Sequence, residues 1–400
     1  MLLYFTVLSI IFLLLVFRIY IKKLSSFWSI QPVFHVYNVL GWFKPRGVIE
    51  MGVPKFNKYC NIINVQTRDM NIITDLQRQI YTNFIKTHYL NSTDTKYLPT
   101  ENEIFPFFTG LNQPCYISIY EKPSFLIPSG GEIEINDKKL INNNKLLGLM
   151  TSRPLIMTLV GGCPLSIYYV DYLCVDTSTR KGGIAPQIIQ THIYNERRMN
   201  ANINISFFKR ESQLTNIVPI TGYATYKLPL AAVPHEILPI ASIKLVKITK
   251  DSIRLLMQFI FKQKDRFKCI IVPDLGNILT LIETGNLIIY GLMENQELCS
   301  CYIFRNSMVY YNGERSIDFV ASISNVCFIE YFYIGFCKSV HKICKELSAT
   351  QISYEMISDN TKIFNKYFIQ NHNKTVSPTA YYFYNYRMKT IESDDVFIFC

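Results

Sequence analysis

The segment DTSTRKGGIAP, residues 176–186, holds the residue types best suited to chemistry. Arg180 and Lys181 set two cations side by side, and Gly182 and Gly183 follow at once. Such a loop can hold an anionic group, above all a phosphate. Arginine pairs a phosphate through two parallel N–H donors. Glycine lets the backbone come close and take a positive φ. The flanks fit the same use. Tyr168 to Val175 is an apolar run broken only by Asp171 and reads as a buried strand. Ala185-Pro186 opens a helix that extends to about Arg198, with Pro186 in the first turn, where its missing N–H costs nothing. The N–H groups of that turn lack intrahelical partners, and the helix dipole adds partial positive charge. The loop has neither the G-x-x-x-x-G-K-[ST] nor the G-x-G-x-x-G pattern. Taken alone, it fits a solvated basic loop equally well.

The elements that must position this loop belong to a chain of 400 residues, enough for two or three domains or one large one. A hydrophobic share of 49% and an aromatic share of 14% argue for a well-buried globular chain. The formal charge of +11 points to an anionic partner: nucleic acid, an anionic membrane face or a phosphorylated cofactor. The Lys and Arg residues are scattered, with no run interleaved by aromatics, which argues against nucleic acid. The 11 cysteines show no metal or disulfide spacing; Cys299-Ser300-Cys301 is not the two-residue zinc or redox spacing. Reduced, buried thiols are the expectation. The six histidines give no metal spacing either.

At the N-terminus, Leu2 to Phe17 carries no charge and Ile19 to Ile21 nearly extends it, close to the ~20 residues that span a bilayer. No basic region precedes it and no small-x-small cleavage site follows. Arg18, Lys22 and Lys23 on its C-terminal side predict a single-pass anchor with the rest of the chain in the cytoplasm. A buried core helix is the alternative. Helices are predicted over 70–90, where Ile73, Leu76, Ile80, Phe84 and Ile85 recur at helical spacing, over 248–263 with Thr249 or Asp251 as cap, and over 325–347. Strands are predicted over 115–127 and 145–160, with a hairpin turning near Asn295 and aromatic strands closing the chain.

Several segments, in order, resemble N-myristoyltransferases. FWSIQPV (27–33) is similar to the family's FWxTQPV signature, with Ile30 in place of Thr. KLLGLMTSRP (145–154), YLCV (172–175) with Arg180 and IAP (184–186), ISDNTKIFNKYFI (357–369) and TAYYFYNY (379–386) resemble further family segments. The sequence ends close behind Tyr386, where the family's sequences end. The resemblance spans about residues 25–400 and implies an α/β fold of two tandem N-acetyltransferase-like (GNAT) halves around a saddle-shaped mixed sheet. With the anchor, the expected organisation is 1–24 transmembrane, 25–225 holding myristoyl-CoA and 226–400 holding the peptide.

The resemblance implies transfer of a myristoyl chain from myristoyl-CoA, without a metal, to the N-terminal glycine amine of a peptide or protein. The amine attacks the thioester directly, and the enzyme is expected to be a monomer. The backbone N–H groups of Tyr172 and Leu173 would form the oxyanion hole, and the α-carboxylate of Cys400 would be the base. Arg180, Lys181, Gly182, Gly183, Ile184 and Ala185 match the coenzyme A phosphate loop. Phe27 and Trp28 match residues along the bound cofactor. Cys174 reads as a buried structural thiol, with no base beside it. The resemblance departs at Lys209-Arg210-Glu211-Ser212, where the family carries a threonine near the attacking amine. It departs again at Met356, where an acidic peptide-site residue is expected and Glu355 stands beside it, and in the loop 90–97, whose one acid is Asp94. The altered 209–212 segment supports an alternative, a non-catalytic acyl-CoA or lipopeptide binder on the same fold; a further alternative, an acyltransferase acting on a lysine or small amine, is opposed by the FW…QPV segment and the matching terminus.

Overall fold

The computed structural model describes residues 2–24, 26–124, 143–238, 243–325, 329–369 and 375–400. Helix α1 (Leu2–Leu24) and the short α2 (Val39–Trp42) lead into strands β1 (Gly47–Val48) and β2 (Val65–Asp69). Helix α3 (Asp75–His88), strand β3 (Thr95–Tyr97) and helix α4 (Glu101–Ile104) precede the long strands β4 (Tyr116–Ser124), β5 (Asn143–Leu159) and β6 (Leu165–Val175). Helix α5 (Ile184–Met199) follows, then β7 (Ser206–Glu211), β8 (Thr221–Pro229) and β9 (Ile243–Lys247). Next come α6 (Ile253–Lys262), β10 (Cys269–Val272), α7 (Leu275–Glu283), and the hairpin of β11 (Leu287–Glu294) and β12 (Glu297–Arg305). The last elements are β13 (Val309–Tyr311), β14 (Glu314–Ser324), α8 (Ile329–Leu347), β15 (Gln351–Glu355), α9 (Asn360–Tyr367), β16 (Thr375–Tyr384), β17 (Tyr386–Arg387) and β18 (Val396–Ile398).

Among the described residues, one mixed sheet of 16 strands runs β18-β10-β5-β6-β7-β16-β8-β15-β14-β12-β11-β9, with β4 and β2 branching from β5. Two of its parallel neighbours are β6–β7 and β14–β15. A parallel pair needs a crossover, and α5 and α8 supply one each. Both helices bury the face turned to the sheet. Ile184 and Ile188 of α5 pack on Tyr120 and Met150. Phe332, Phe336 and Val340 of α8 pack on Tyr302, Phe304, Phe319 and Tyr354. Gly335 lets α8 close on the sheet: a Cβ there would stand 2.3 Å from the Tyr302 hydroxyl oxygen. That hydroxyl is buried and donates to the Phe332 carbonyl at 2.7 Å. Gly335→Ala is therefore expected to cost about 1–3 kcal/mol as an overpacked core, read from chemical denaturation.

The expected elements occur with local differences. Of the residues predicted to form one face over 70–90, Ile73, Phe84 and Ile85 are buried, whereas Leu76 and Ile80 are exposed and Tyr81 takes the inner side. The hairpin turns at Asn295 and Gln296, both at positive φ. Thr249 caps the entry to α6 through a single 3₁₀ turn. The predicted strand ends at 125–127 and the helix start at 326–328 lie outside the described residues. The mixed α/β class stands, but the transmembrane helix does not. The N-terminal segment is helical as α1, yet among the described residues no helix is long and apolar enough to cross a membrane. Thr6 and Ser9, uncharged but polar, break the apolar stretch, whose longest unbroken run is Ile10 to Phe17. This corrects the expected anchor at 1–24, the membrane partnership and the single-pass localisation built on it.

Candidate active site

The pairing of β5 with β6 runs regularly from Met157–Leu165 to Ser152–Val170, then slips before Met150–Leu173. Thr151 thus faces the extra residue of a β-bulge at Asp171-Tyr172. A bulge re-aims side chains and takes backbone groups out of the ladder. Here the Tyr172 N–H leaves the ladder and donates to Thr151 Oγ1 at 3.2 Å. The two expected oxyanion-hole residues point their side chains to opposite sides. Tyr172 is buried with its hydroxyl 2.8 Å from that of Tyr97, and burial pushes its phenol far above the usual range. Leu173 is half-buried and packs with Ile184 and Ile188. Cys174 is buried, and burial pushes its thiol up to about 12, which keeps it protonated and unreactive.

Beside the bulge lies a cavity of about 320 Å³, lined by Tyr169 to Tyr172 of β6, Lys209 and Glu211 of β7, Arg305 of β12, Asp318 of β14 and Glu355 of β15, among others. Its charges are paired. Lys209 Nζ lies 2.9 Å from Glu211 and 3.0 Å from Glu355, and Tyr223 donates its hydroxyl to the second Glu355 oxygen. Burial opposes the Lys209 charge, but Glu211 and Glu355 outweigh it and hold the ammonium well above its ordinary range. Arg305 donates to Asp318 from Nη2 at 2.8 Å and from Nε at 3.1 Å. Arg153, fully buried behind the cavity wall, donates from Nε to Asp171 at 2.7 Å.

Cys400 reaches this centre from below. Strand β18 pairs in parallel with β10, the Phe399 N–H donates to the Ile271 carbonyl at 3.1 Å, and Phe397, Phe399 and Cys400 are buried. A backbone oxygen of Cys400 accepts from Arg305 Nη1 at 3.2 Å. Cys400 is not among the residues lining the cavity; Arg305 joins the two.

The phosphate-loop residues stand at the head of α5. Asp176 accepts from the N–H and hydroxyl of Ser178 and starts a 3₁₀ turn over Thr177–Thr179. Burial opposes its charge, but those bonds, with His88 and Lys145 nearby, hold its carboxyl below the usual range. Lys181 (φ +67) and Gly183 (φ +77) take the left-handed region, and Gly183 is the N-cap of α5. Lys181, Gly182 and Gly183 are exposed, Ile184 is buried and Ala185 is half-buried. Arg180 spends its guanidinium on the His88 carbonyl and on Val175 O, tying the loop to the end of α3. The loop therefore offers the free N–H groups of a helix start together with the Lys181 cation.

Phe27 and Trp28 sit elsewhere. Phe27 is buried against Tyr59, and Trp28 stacks on Phe208 of β7 and packs with Ile189 of α5. The structure thus brings Tyr172 to the cavity, leaves Leu173 packed on the opposite side against α5, reaches Cys400 through Arg305, and places 180–185 in the turn that joins β6 to α5. Phe27 and Trp28 rest on the flank of α5. Sequence reasoning missed Arg153, Arg305, Asp318 and the pairing role of Lys209 and Glu355. Their one visible signal was charge inside otherwise apolar strands, as at Arg153 and Asp171.

No family model and no curated protein sequence matches the chain. Solved structures do match its fold. N-myristoyltransferase of Saccharomyces cerevisiae, crystallised with bound myristoyl-CoA, superposes with a TM-score of 0.67 at 14% identity, covering 93% of this chain and 90% of that one. A second structure of that enzyme with bound myristoyl-CoA gives 0.67 at 13% identity over 92% and 94% of the two chains. A third, with myristoyl-CoA and inhibitors, gives 0.67 at 13% over 94% and 96%. The chain has the N-myristoyltransferase fold.

Proposed function

We propose that this protein transfers a myristoyl group from myristoyl-CoA to the N-terminal glycine amine of peptides or proteins. The observation that carries the reading is the bulge at Asp171-Tyr172, which takes the Tyr172 N–H out of the ladder beside a cavity lined by Asp171, Glu211, Asp318 and Glu355. The amine nitrogen attacks the thioester carbon, the C–N bond forms, and the C–S bond breaks. The amine enters as an ammonium and loses two protons; one ends on the departing thiolate and the other in solvent. The oxyanion formed on the way is met by the N–H groups of Tyr172 and Leu173. Thr151 yields the Tyr172 N–H at that point, because a charged acceptor binds an N–H about twice as strongly as a hydroxyl. The carboxylate of Cys400, with Arg305 beside it, is the base that the resemblance implies. Phosphates of the coenzyme sit on Gly183, Ile184 and Ala185 N–H groups with Lys181 and Arg180 near, and Phe27 and Trp28 flank the acyl-CoA. Residues 25–225 would hold acyl-CoA and 226–400 the peptide.

The hold of Thr151 on the Tyr172 N–H favours a second reading, a non-catalytic acyl-CoA binder. One experiment separates them. The protein is mixed with myristoyl-CoA and glycine-ended peptides while free thiol and peptide mass are followed. Thiol release with a myristoyl mass gain is the expected result. Binding without release selects the second reading, and no binding of myristoyl-CoA overturns both.

A further inference from the structure

We infer that Asp171 is a second proton acceptor of this site, taking a proton from the incoming amine directly at the cavity wall. The inference rests on the transfer reaction proposed above and names the residue that completes its proton balance. An ammonium substrate must lose two protons, and Cys400 alone is poorly placed to take the first. Its oxygen accepts from Arg305, and Cys400 lies outside the lining of the cavity. Asp171 lines the cavity and directly precedes Tyr172, so a proton acceptor and an oxyanion donor leave β6 at the same bulge. Its side chain is 12% exposed, enough to be touched and too little to be hydrated in bulk.

The Arg153 pairing supports a working carboxylate rather than a structural one. Nε holds Asp171 Oδ2 at 2.7 Å, while Nη2 meets Oδ1 only at 3.4 Å, so Oδ1 is loosely engaged. Arg153 itself is fully buried over the rings of Phe107 and Tyr169, and its Nη1 has no hydrogen-bond partner among the described residues. A buried guanidinium N–H without an acceptor is uncommon in a pair kept only for stability. The other titratable groups near Asp171 are Arg305, Tyr89, Tyr97, Cys115, Tyr169, Tyr172 and Cys400. Burial raises the Asp171 carboxyl above its ordinary value, while Arg153 and then Arg305 pull against that rise. The result is a carboxylate more basic than a solvated one, as general-base catalysis requires.

The step balances. One N–H proton of the ammonium passes to Asp171, which frees the nitrogen lone pair, and the C–N bond then forms. When the C–S bond breaks, Asp171 returns that proton to the thiolate. The second N–H proton leaves through Cys400 to solvent.

Asp171→Asn keeps the shape and an acceptor for Arg153 but cannot take a proton. Transfer from myristoyl-CoA to a glycine-ended peptide is measured against pH, with myristoyl-CoA binding measured separately. Asp171→Asn is expected to bind myristoyl-CoA within about 2-fold of the parent, to lose about 10²–10⁴-fold in kcat, and to lose the acid limb of the pH profile. A purely structural carboxylate would lower the melting temperature and leave that limb in place. Should Asp171→Asn not fold, the double variant Arg153→Met/Asp171→Asn removes both charges, and it is expected to bind the thioester without transferring it. Transfer at near-parental rate with the parental pH profile, in either variant, overturns this inference alone. A parent that transfers nothing overturns it together with the reading it rests on.

Discussion

Extending the chain by one alanine beyond Cys400 is expected to lower acyl transfer by at least about 100-fold while leaving myristoyl-CoA affinity within about 2-fold. The extension turns the carboxylate into an amide, which accepts no proton at neutral pH; loss of a positioned base costs about 10²–10⁴-fold. The surroundings sharpen the effect. Phe397 and Phe399 are buried, β18 is registered against β10, and the Phe399 N–H is held by Ile271. An added residue therefore has to grow from a fixed, buried end toward Arg305. The phosphate loop stands in the turn that joins β6 to α5, so binding of the coenzyme moiety is not expected to change. Thiol release and calorimetric titration with myristoyl-CoA read the two quantities separately. Unchanged turnover in the extended chain removes Cys400 from the mechanism and leaves Asp171 as the carboxylate to be tested.

The contrast between those two carboxylates shows where a one-dimensional reading of the chain works. The β6–loop–α5 unit is local in sequence: an apolar run, a Gly-Gly turn and a helix with proline in its first turn are contiguous, and the structure places all of them as expected. The last strand was likewise legible, because DVFIF is apolar and carries its own β signal. The cavity was not. Its facing charges, Lys209 with Glu355 and Arg305 with Asp318, come from four strands, and pairing across strands leaves no periodic trace in the sequence. The bulge at Asp171-Tyr172 was hidden for a related reason: it is a slip in register between two strands, each of which looks regular alone. At the N-terminus the fault lay the other way. Leu2 to Phe17 carries no charge, yet Thr6 and Ser9 break its apolar run, and among the described residues no helix is long and apolar enough to cross a membrane.

Lys209 is the residue whose structural role departs furthest from its sequence appearance, and its removal is expected to be costly. Within KRES (209–212) it looks like a surface cation. In the fold its side chain is 13% exposed and its ammonium lies between Glu211 and a Glu355 side chain that is 3% exposed. Lys209→Met would leave Glu355 with the Tyr223 hydroxyl as its close partner and no bound cation. Removing one member of a buried pair costs about 3–5 kcal/mol, since the charge left behind is neither hydrated nor paired. Glu211 is half-exposed and adds little to that figure, because a solvated carboxylate can shed its partner cheaply. The pH dependence carries a definite sign. The Lys209 ammonium is held above its unfolded value, so its contribution is fully present below about pH 10.4 and fades only as pH rises through the folded value. The stability gap between parent and Lys209→Met, measured by denaturant titration, should therefore stay flat through neutral pH and close in strong alkali. Adding Glu355→Gln to Lys209→Met removes the stranded carboxylate and is expected to recover most of the loss. A double variant as unstable as Lys209→Met would show that packing, not charge, holds this wall of the cavity.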